Sequence, residues 1–238
     1  MLTPFYQDEL VRLYCGKCES ILPQLDVRAD LCLTDPPYGI GAADYKRGGT
    51  QHGKSVAKCK EYGFEKWDND KLTRMHVEMI RQYSENQIVW GGNYYANWLP
   101  SSPCWLVWDK DNGSNGYADC ELAWASFESA VRYFKWKWHG MLQQDMSKKE
   151  ERLHPTQKPL ALMKWCIEKH SEQGQLILDP FAGSGTTLVA AKLLGRPSIG
   201  IEMNEKYCQM IVDRLNKPIP LFEQEAEQTE LPLAATGI

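Results

Sequence analysis

The chain has 238 residues, a 43% hydrophobic share and a formal net charge of −4. That share suffices for a sizeable core and argues against a disordered polypeptide, and no apolar run approaches the roughly 18 residues of a membrane span. The charge does not advertise a nucleic-acid binder, but Glu223, Glu225, Glu227 and Glu230 fall in a tail without Lys or Arg; setting them aside leaves 27 basic against 27 acidic residues, so a polyanion would have to meet a local basic patch.

In chain order, Val11 to Tyr14 reads as a strand and Cys18 to Leu25 as a brief helix. Eight cysteines show no framework spacing, and the lone Cys15-x-x-Cys18 pair has no second pair at zinc spacing, so free thiols and no metal are expected. Leu31 to Thr34 is a buried-type strand that stops at Asp35-Pro36-Pro37-Tyr38. The prolines stiffen the turn and cannot continue the strand. An acid, a carbonyl and an aromatic ring at a strand end suit the gripping of a flat ring that carries an amino group. Residues 39 to about 66 follow as a long loop, a length that in compact domains goes with function or mobility. Its Lys46, Arg47, Lys54 and Lys58 suit contacts with phosphate.

Leu72 to Tyr83 has helical periodicity, with Met75, Met79 and Tyr83 on one face. Gln87 to Trp90 is a strand ended by Gly91-Gly92, and Tyr94 to Leu99 is a short helix stopped by Pro100. Trp105 to Trp108 and Glu121 to Phe127 are further strands. From Arg132 to His139 basic and aromatic residues alternate, which in one strand puts Lys135, Lys137 and His139 on a shared face. Leu160 to His170 is a helix whose start is set by Pro159.

Leu176 to Leu178 is another buried-type strand. It runs into Asp179-Pro180-Phe181-Ala182-Gly183-Ser184-Gly185-Thr186-Thr187 and then a helical pattern through Leu188, Ala191 and Leu194. Strand, glycine turn and helix form the first unit of a nucleotide-type site. A P-loop is excluded because no Lys follows Gly185 before the Thr pair. Glu202 closes the strand Ser198 to Ile201, about 20 residues past the turn, where an acid accepts ribose hydroxyls. Tyr207 to Leu215 is the last helix. Strands alternating with helices imply a mostly parallel sheet covered on both faces. One domain over residues 1–217 is expected, with an extended or disordered tail over 218–238, in a cytoplasmic protein.

The order of the two motifs, Asp35-Pro36-Pro37-Tyr38 first and Asp179 to Thr187 last, resembles the amino-group DNA methyltransferases that use S-adenosylmethionine, in the permuted class called beta. The resemblance spans roughly residues 12 to 215. It implies an α/β, Rossmann-like methyltransferase fold with a seven-stranded sheet and one antiparallel strand. It implies catalytic roles for Asp35, Pro36, Pro37 and Tyr38, and cofactor contacts at Asp179, Phe181, Gly183, Ser184, Gly185, Thr186 and Glu202. His154 to Pro159 resembles the family's segment that closes over the methionine end of the cofactor, with Thr156 and Lys158 as carboxylate contacts. A short target-recognition insertion is implied at about 127–152, including Arg132, Lys135, Lys137 and His139. Double-stranded DNA with a flipped base is the implied substrate, and family members are often homodimers.

One departure stands out: many relatives have Gly-Asp after the first strand, with the acid near the cofactor's adenine, and this chain has Gly16-Lys17. Asp35 at the head of its motif favours adenine N6 as methyl acceptor. Cytosine N4 remains the alternative, because the same acceptors serve either amine. An RNA or protein amine substrate, and a non-catalytic DNA-binding module, are further readings; the intact motifs argue against a decayed site. The protein would belong to a restriction-modification pair, or be an orphan or phage enzyme. In the tail, Gln228 to Leu233 resembles short peptides that dock into sliding clamps.

Overall fold

The computed structural model describes residues 2–39, 72–113, 118–139, 142–147, 149–153 and 157–217. Chain order is β1 (Tyr6–Gln7), β2 (Val11–Cys15), α1 (Cys18–Ile21), β3 (Ala29–Thr34), α2 (Arg74–Gln82), β4 (Ser84–Trp90), β5 (Trp105–Asp109), β6 (Cys120–Ala125), β7 (Arg132–Lys135), β8 (Trp138–His139), β9 (Leu142–Gln143), α3 (Leu160–His170), β10 (Ile177–Asp179), α4 (Thr186–Leu193), β11 (Ser198–Glu202) and α5 (Glu205–Leu215).

Among the described residues nine strands form one sheet in the order β1-β2-β11-β10-β3-β4-β6-β5-β7, and β8 pairs with β9 in a separate hairpin. The central strands from β2 to β5 are the expected seven. They run parallel except for β6, which is antiparallel to both β4 and β5. The sheet is wider than expected because a short strand is added at each edge, β1 antiparallel to β2 and β7 parallel to β5.

Period-two alternation assigns each strand's side chains to two cores. Leu31 and Leu33 of β3, Ile88 and Trp90 of β4 and Leu106 and Trp108 of β5 pack with α3 and α4 on one face. Cys32, Val89, Trp124, Leu178, Ile199 and Ile201 pack with α1 and α2 on the other. Leu31, Leu33, Ile88 and Leu106 are fully buried, each contributing about 1.5–3 kcal/mol of hydrophobic stabilisation.

The strand order positions the site. β10 comes late in the chain yet lies between β11 and β3, so the chain proceeds to one side after β10 and to the other after β3. That is a topological switch point, and a crevice opens beyond the carboxyl ends of the strands there.

Three local expectations need correction. On α2 the buried residues are Val77 and Ile80, whereas Met75 is 50% exposed and Met79 and Tyr83 only border the core. A capping box between Thr73 and His76 starts the helix, and packing on the sheet selects Val77 and Ile80 as its buried face. Tyr94 to Leu99 is not an α-helix: a single 3₁₀ turn, Gly92–Tyr94, gives way to turns because Gly91 enters it in a left-handed conformation. Arg132 to His139 is two strands: the β5–β7 ladder ends with the Trp136 amide bonding the Asp109 carbonyl at 2.9 Å, and β8 then folds back onto β9.

Candidate active site

β3 and β10 are adjacent and parallel, so the motifs that follow them emerge side by side. A hydrogen bond ties them: Thr34 Oγ1 donates to Asp179 Oδ1 at 2.7 Å, across 145 residues of sequence. The same Asp179 oxygen accepts the Phe181 amide at 3.1 Å. Asp179 therefore fixes the start of the glycine turn from within, and burial raises its carboxyl to about 6.

The turn itself depends on glycine at two positions. Gly183 and Gly185 have φ of +54° and +76°, in the left-handed region that other residues avoid. A Cβ on Gly185 would also lie 2.8 Å from Ile211 Cγ1. Arg214 of α5 holds the turn from outside, donating to the Ser184 carbonyl at 2.5 Å and to Thr186 Oγ1 at 3.2 Å. At the end of β11, Glu202 accepts the Gly183 amide at 2.8 Å and the Asn204 amide at 2.8 Å, one on each oxygen. Burial pushes this carboxyl up to about 7 despite those bonds. Glu202 thus binds the glycine turn and the start of α5 together, and each oxygen keeps lone pairs for a further donor.

The motif after β3 is held as tightly. Tyr38 Oη donates to Asp35 Oδ1 at 2.7 Å, and Lys158 Nζ donates to Asp35 Oδ2 at 2.6 Å. Lys158 also approaches Tyr38 Oη and Glu121 Oε2, both at 3.1 Å. Glu121 in turn pairs with Lys110 at 2.5 Å. Burial acts against the Lys158 ammonium, but Asp35 and Glu121 outweigh it and hold its pKa above the ordinary lysine value. Burial likewise acts against the Glu121 carboxylate, yet Lys158 and Lys110 keep it low, at about 2. Asp35 is raised, first by burial and then by Glu121, with Lys158 opposing. The buried Tyr95 hydroxyl donates to the Pro37 carbonyl at 2.6 Å and lies 3.3 Å from that of Pro36. Tyr38 stacks on Tyr94 with ring centroids 4.9 Å apart. Gly91 makes room for this ring, since a Cβ there would lie 2.6 Å from Tyr38 Cδ1.

Both motifs open onto one cavity of about 510 Å³, within the usual range of a small-molecule site. Asp35, Pro36, Pro37, Tyr38, Lys158, Asp179, Phe181, Gly183, Ser184, Thr186 and Glu202 all line it. Gly185 does not; it turns the backbone behind the wall. Lys158, expected at a ligand carboxylate, has its ammonium on Asp35. Thr156, Lys46, Arg47, Lys54 and Lys58 lie outside the described residues, as does Gln228 to Leu233.

In the segment expected to meet DNA, Lys135 and Lys137 pair with Asp111 at 2.9 and 3.0 Å. Tyr133 is 60% exposed and donates to Asp109. Arg132 stands on β7 beside Leu106, and His139 on β8. Arg132, Lys135 and Lys137 do not line the cavity.

The residues that the sequence reading missed are Glu19, His76, Gly91, Tyr94, Tyr95, Glu121 and Arg214. Glu19 and His76 line the cavity near Lys17, with His76 edge-on to Phe181 at 5.6 Å. Cys18, Glu19 and His76 bring ligand-type atoms within 4.8 Å of one another. However, burial pushes the Cys18 thiol up to about 12, and His76 Nδ1 is already taken by the Thr73 amide at 3.1 Å. Glu121 carried a visible signal, an acid heading an otherwise apolar strand. The others are defined by contacts distant in sequence.

A doubly wound sheet with an acid-and-aromatic motif and a glycine turn sharing one crevice defines a class of α/β group-transfer enzyme with a nucleotide-type cofactor site. A family model described as DNA methylase matches residues 98–213. The putative methylase YubD of Escherichia coli (strain K12) is 30% identical over 217 residues, covering 82% of this chain and 86% of that protein. The type II methyltransferase M2.MboI of Moraxella bovis is 25% identical over 266 residues, covering 95% and 96%. Among solved structures, the M1.HpyAVI–SAM complex has a TM-score of 0.57 at 24% identity, covering 87% of this chain and 100% of that one. The PvuII DNA methyltransferase, which is cytosine-N4-specific, has a TM-score of 0.58 at 14% identity, covering 94% of each. These structural likenesses show the fold. The chain belongs to the N6/N4 DNA methylase family.

Proposed function

We propose that the protein methylates adenine N6 in double-stranded DNA, using a base flipped into the cavity beside Asp35, with S-adenosylmethionine as donor. The observation that carries this reading is the shared cavity, which joins the Asp35–Tyr38 motif to the Gly183 turn and Glu202. Its residues fit the donor. Glu202 suits the ribose hydroxyls, the Gly183–Ser184 turn offers close backbone approach, and Phe181 and His76 supply flat walls for an adenine ring. When bound, the donor presents an electrophilic methyl group on a sulfonium.

The chain's own residues act on the other partner. An exocyclic amine is a poor nucleophile while its lone pair is shared with the ring. Asp35 and the Pro36 carbonyl are acceptors for its two hydrogens, which favours a pyramidal nitrogen with a free lone pair. They also stabilise the positive charge that develops there, an electrostatic effect worth a few kcal/mol per placed group. Tyr38 supplies a stacking face that offsets part of the cost of extrusion from the duplex. Fixing both reactants in one crevice supplies the rest by orientation. Residues 1–217 act as one catalytic unit, with about 127–152 as the recognition segment. Mass spectrometry of nucleosides, after incubation of duplex DNA with methyl-labelled donor, should give N6-methyladenine. N4-methylcytosine alone would transfer the same mechanism to the other base and refute the adenine assignment.

A further inference from the structure

We propose that Glu121 is a positioning residue for methyl transfer: it takes the Lys158 ammonium from Asp35 when Asp35 turns to the target amine. The proposal rests on Asp35 being the acceptor for that amine. In the structure both Asp35 oxygens are engaged, Oδ1 by Tyr38 and Oδ2 by Lys158 at 2.6 Å. A tightly held ammonium at that carboxylate competes with the amine for it. It also places a positive charge beside a nitrogen that becomes positive during attack, so Lys158 has to withdraw.

Water is no refuge, since the Lys158 side chain is only 5% exposed. Glu121 Oε2 lies 3.1 Å from the ammonium. That oxygen is buried, and its contact with Lys158 is the longer and less well directed of the ammonium's two carboxylate contacts. Its sister Oε1 is occupied by Lys110. One buried, ionised oxygen with spare acceptor capacity therefore lies within reach of the same ammonium that Asp35 holds. Rotation about the end of the Lys158 side chain moves the ammonium from one carboxylate to the other without breaking charge balance. The hand-over shifts a hydrogen bond and moves no proton.

The groups facing Lys158 and Asp35 are Glu121, Lys110, Tyr38 and, through β10, Asp179. In the full-length chain with S-adenosylmethionine and duplex DNA, Glu121→Gln should lower kcat about 10- to 100-fold, with KM for the donor within about twofold. The acid limb of the kcat–pH profile should move to lower pH, because Lys158 is left to Asp35 alone. Glu121→Asp should recover part of kcat. Lys110→Met should move the limb the other way, since Glu121 then draws Lys158 more strongly; this variant is readable even if Glu121→Gln does not fold. An unmoved limb in either folded variant, or a Glu121→Gln defect that only tracks loss of folded protein, would overturn the hand-over. Asp35→Ala, measured alongside, separates the two levels: turnover surviving in that variant means the reading of Asp35 has failed.

Discussion

Replacing Gly91 by alanine perturbs the site by a single methyl group. Gly91 has φ of +71°, where an L residue costs about 1–2 kcal/mol. The added Cβ would lie 2.6 Å from Tyr38 Cδ1 and 2.7 Å from Cζ, on the body of the ring, so the ring must leave its place. Its stacking on Tyr94 at 4.9 Å is worth about 0.5–1.5 kcal/mol. The bond from its hydroxyl to the Asp35 carboxylate, 2.7 Å, is worth about 1.5–3 kcal/mol. The loss then totals about 3–6.5 kcal/mol, a large share of the roughly 5–15 kcal/mol stability of a typical domain. Gly174 provides the control, because its φ is +81° and a Cβ there meets nothing within 4 Å. Gly174→Ala should cost only the backbone strain and leave turnover unchanged. Gly91→Ala, assayed well below its lowered melting temperature, should lose about 100-fold or more in kcat, as when a placed transition-state group is removed. Its affinity for S-adenosylmethionine by calorimetry should stay within about twofold, since the glycine turn and Glu202 stand on other strands. Normal turnover in folded Gly91→Ala would refute the claim that the Tyr38 ring must sit where it does.

Glu202→Ala should weaken S-adenosylmethionine binding by about 10- to 100-fold, as expected for lost hydrogen bonds to a charged acceptor; unchanged affinity by calorimetry would remove its ribose role. Stability of the free protein should fall as pH rises from about 4 to 7. Glu202 and Asp179 titrate near 7 and 6 when folded, against ordinary values of 4.5 and 3.8, so the folded state binds more protons in that window. Each contributes on the order of 3 kcal/mol. Asp8 and Glu121, held down at about 2, act oppositely and withdraw stability on acidification below about pH 4. Thermal melts across pH should therefore peak near pH 4, and a monotonic rise to pH 8 would contradict the burial of both raised acids.

The fold was legible wherever a strand carried its own signature. The runs before Asp35 and Asp179 are apolar on both faces because both faces of the sheet are covered. Their neighbours in the sheet were not readable from period alone; the resemblance of the two motifs to a known family supplied the strand count. The edge strand β1 escaped notice because two residues carry no period, and β7 was read as part of one longer strand running to His139. The Met75 face of α2 was misjudged because spacing of three and four residues fits more than one rotation, and the sheet selected Val77 and Ile80. In the site, the acid, the aromatic ring and the glycine turn each announced themselves through residue type. Lys158 was visible but assigned to a ligand, because its partner Asp35 lies 123 residues away in sequence. Gly91 read as a strand terminator, and only the folded chain shows what its missing side chain admits.

The central claim is tested most directly by a structure of the protein bound to S-adenosylmethionine. The ribose hydroxyls should meet Glu202 and the methyl carbon should face Asp35, within about 3–3.5 Å of where an amine bonded to that carboxylate would sit. A donor bound with its methyl turned away from Asp35, or seated outside the cavity beside the Gly183 turn, would contradict the account.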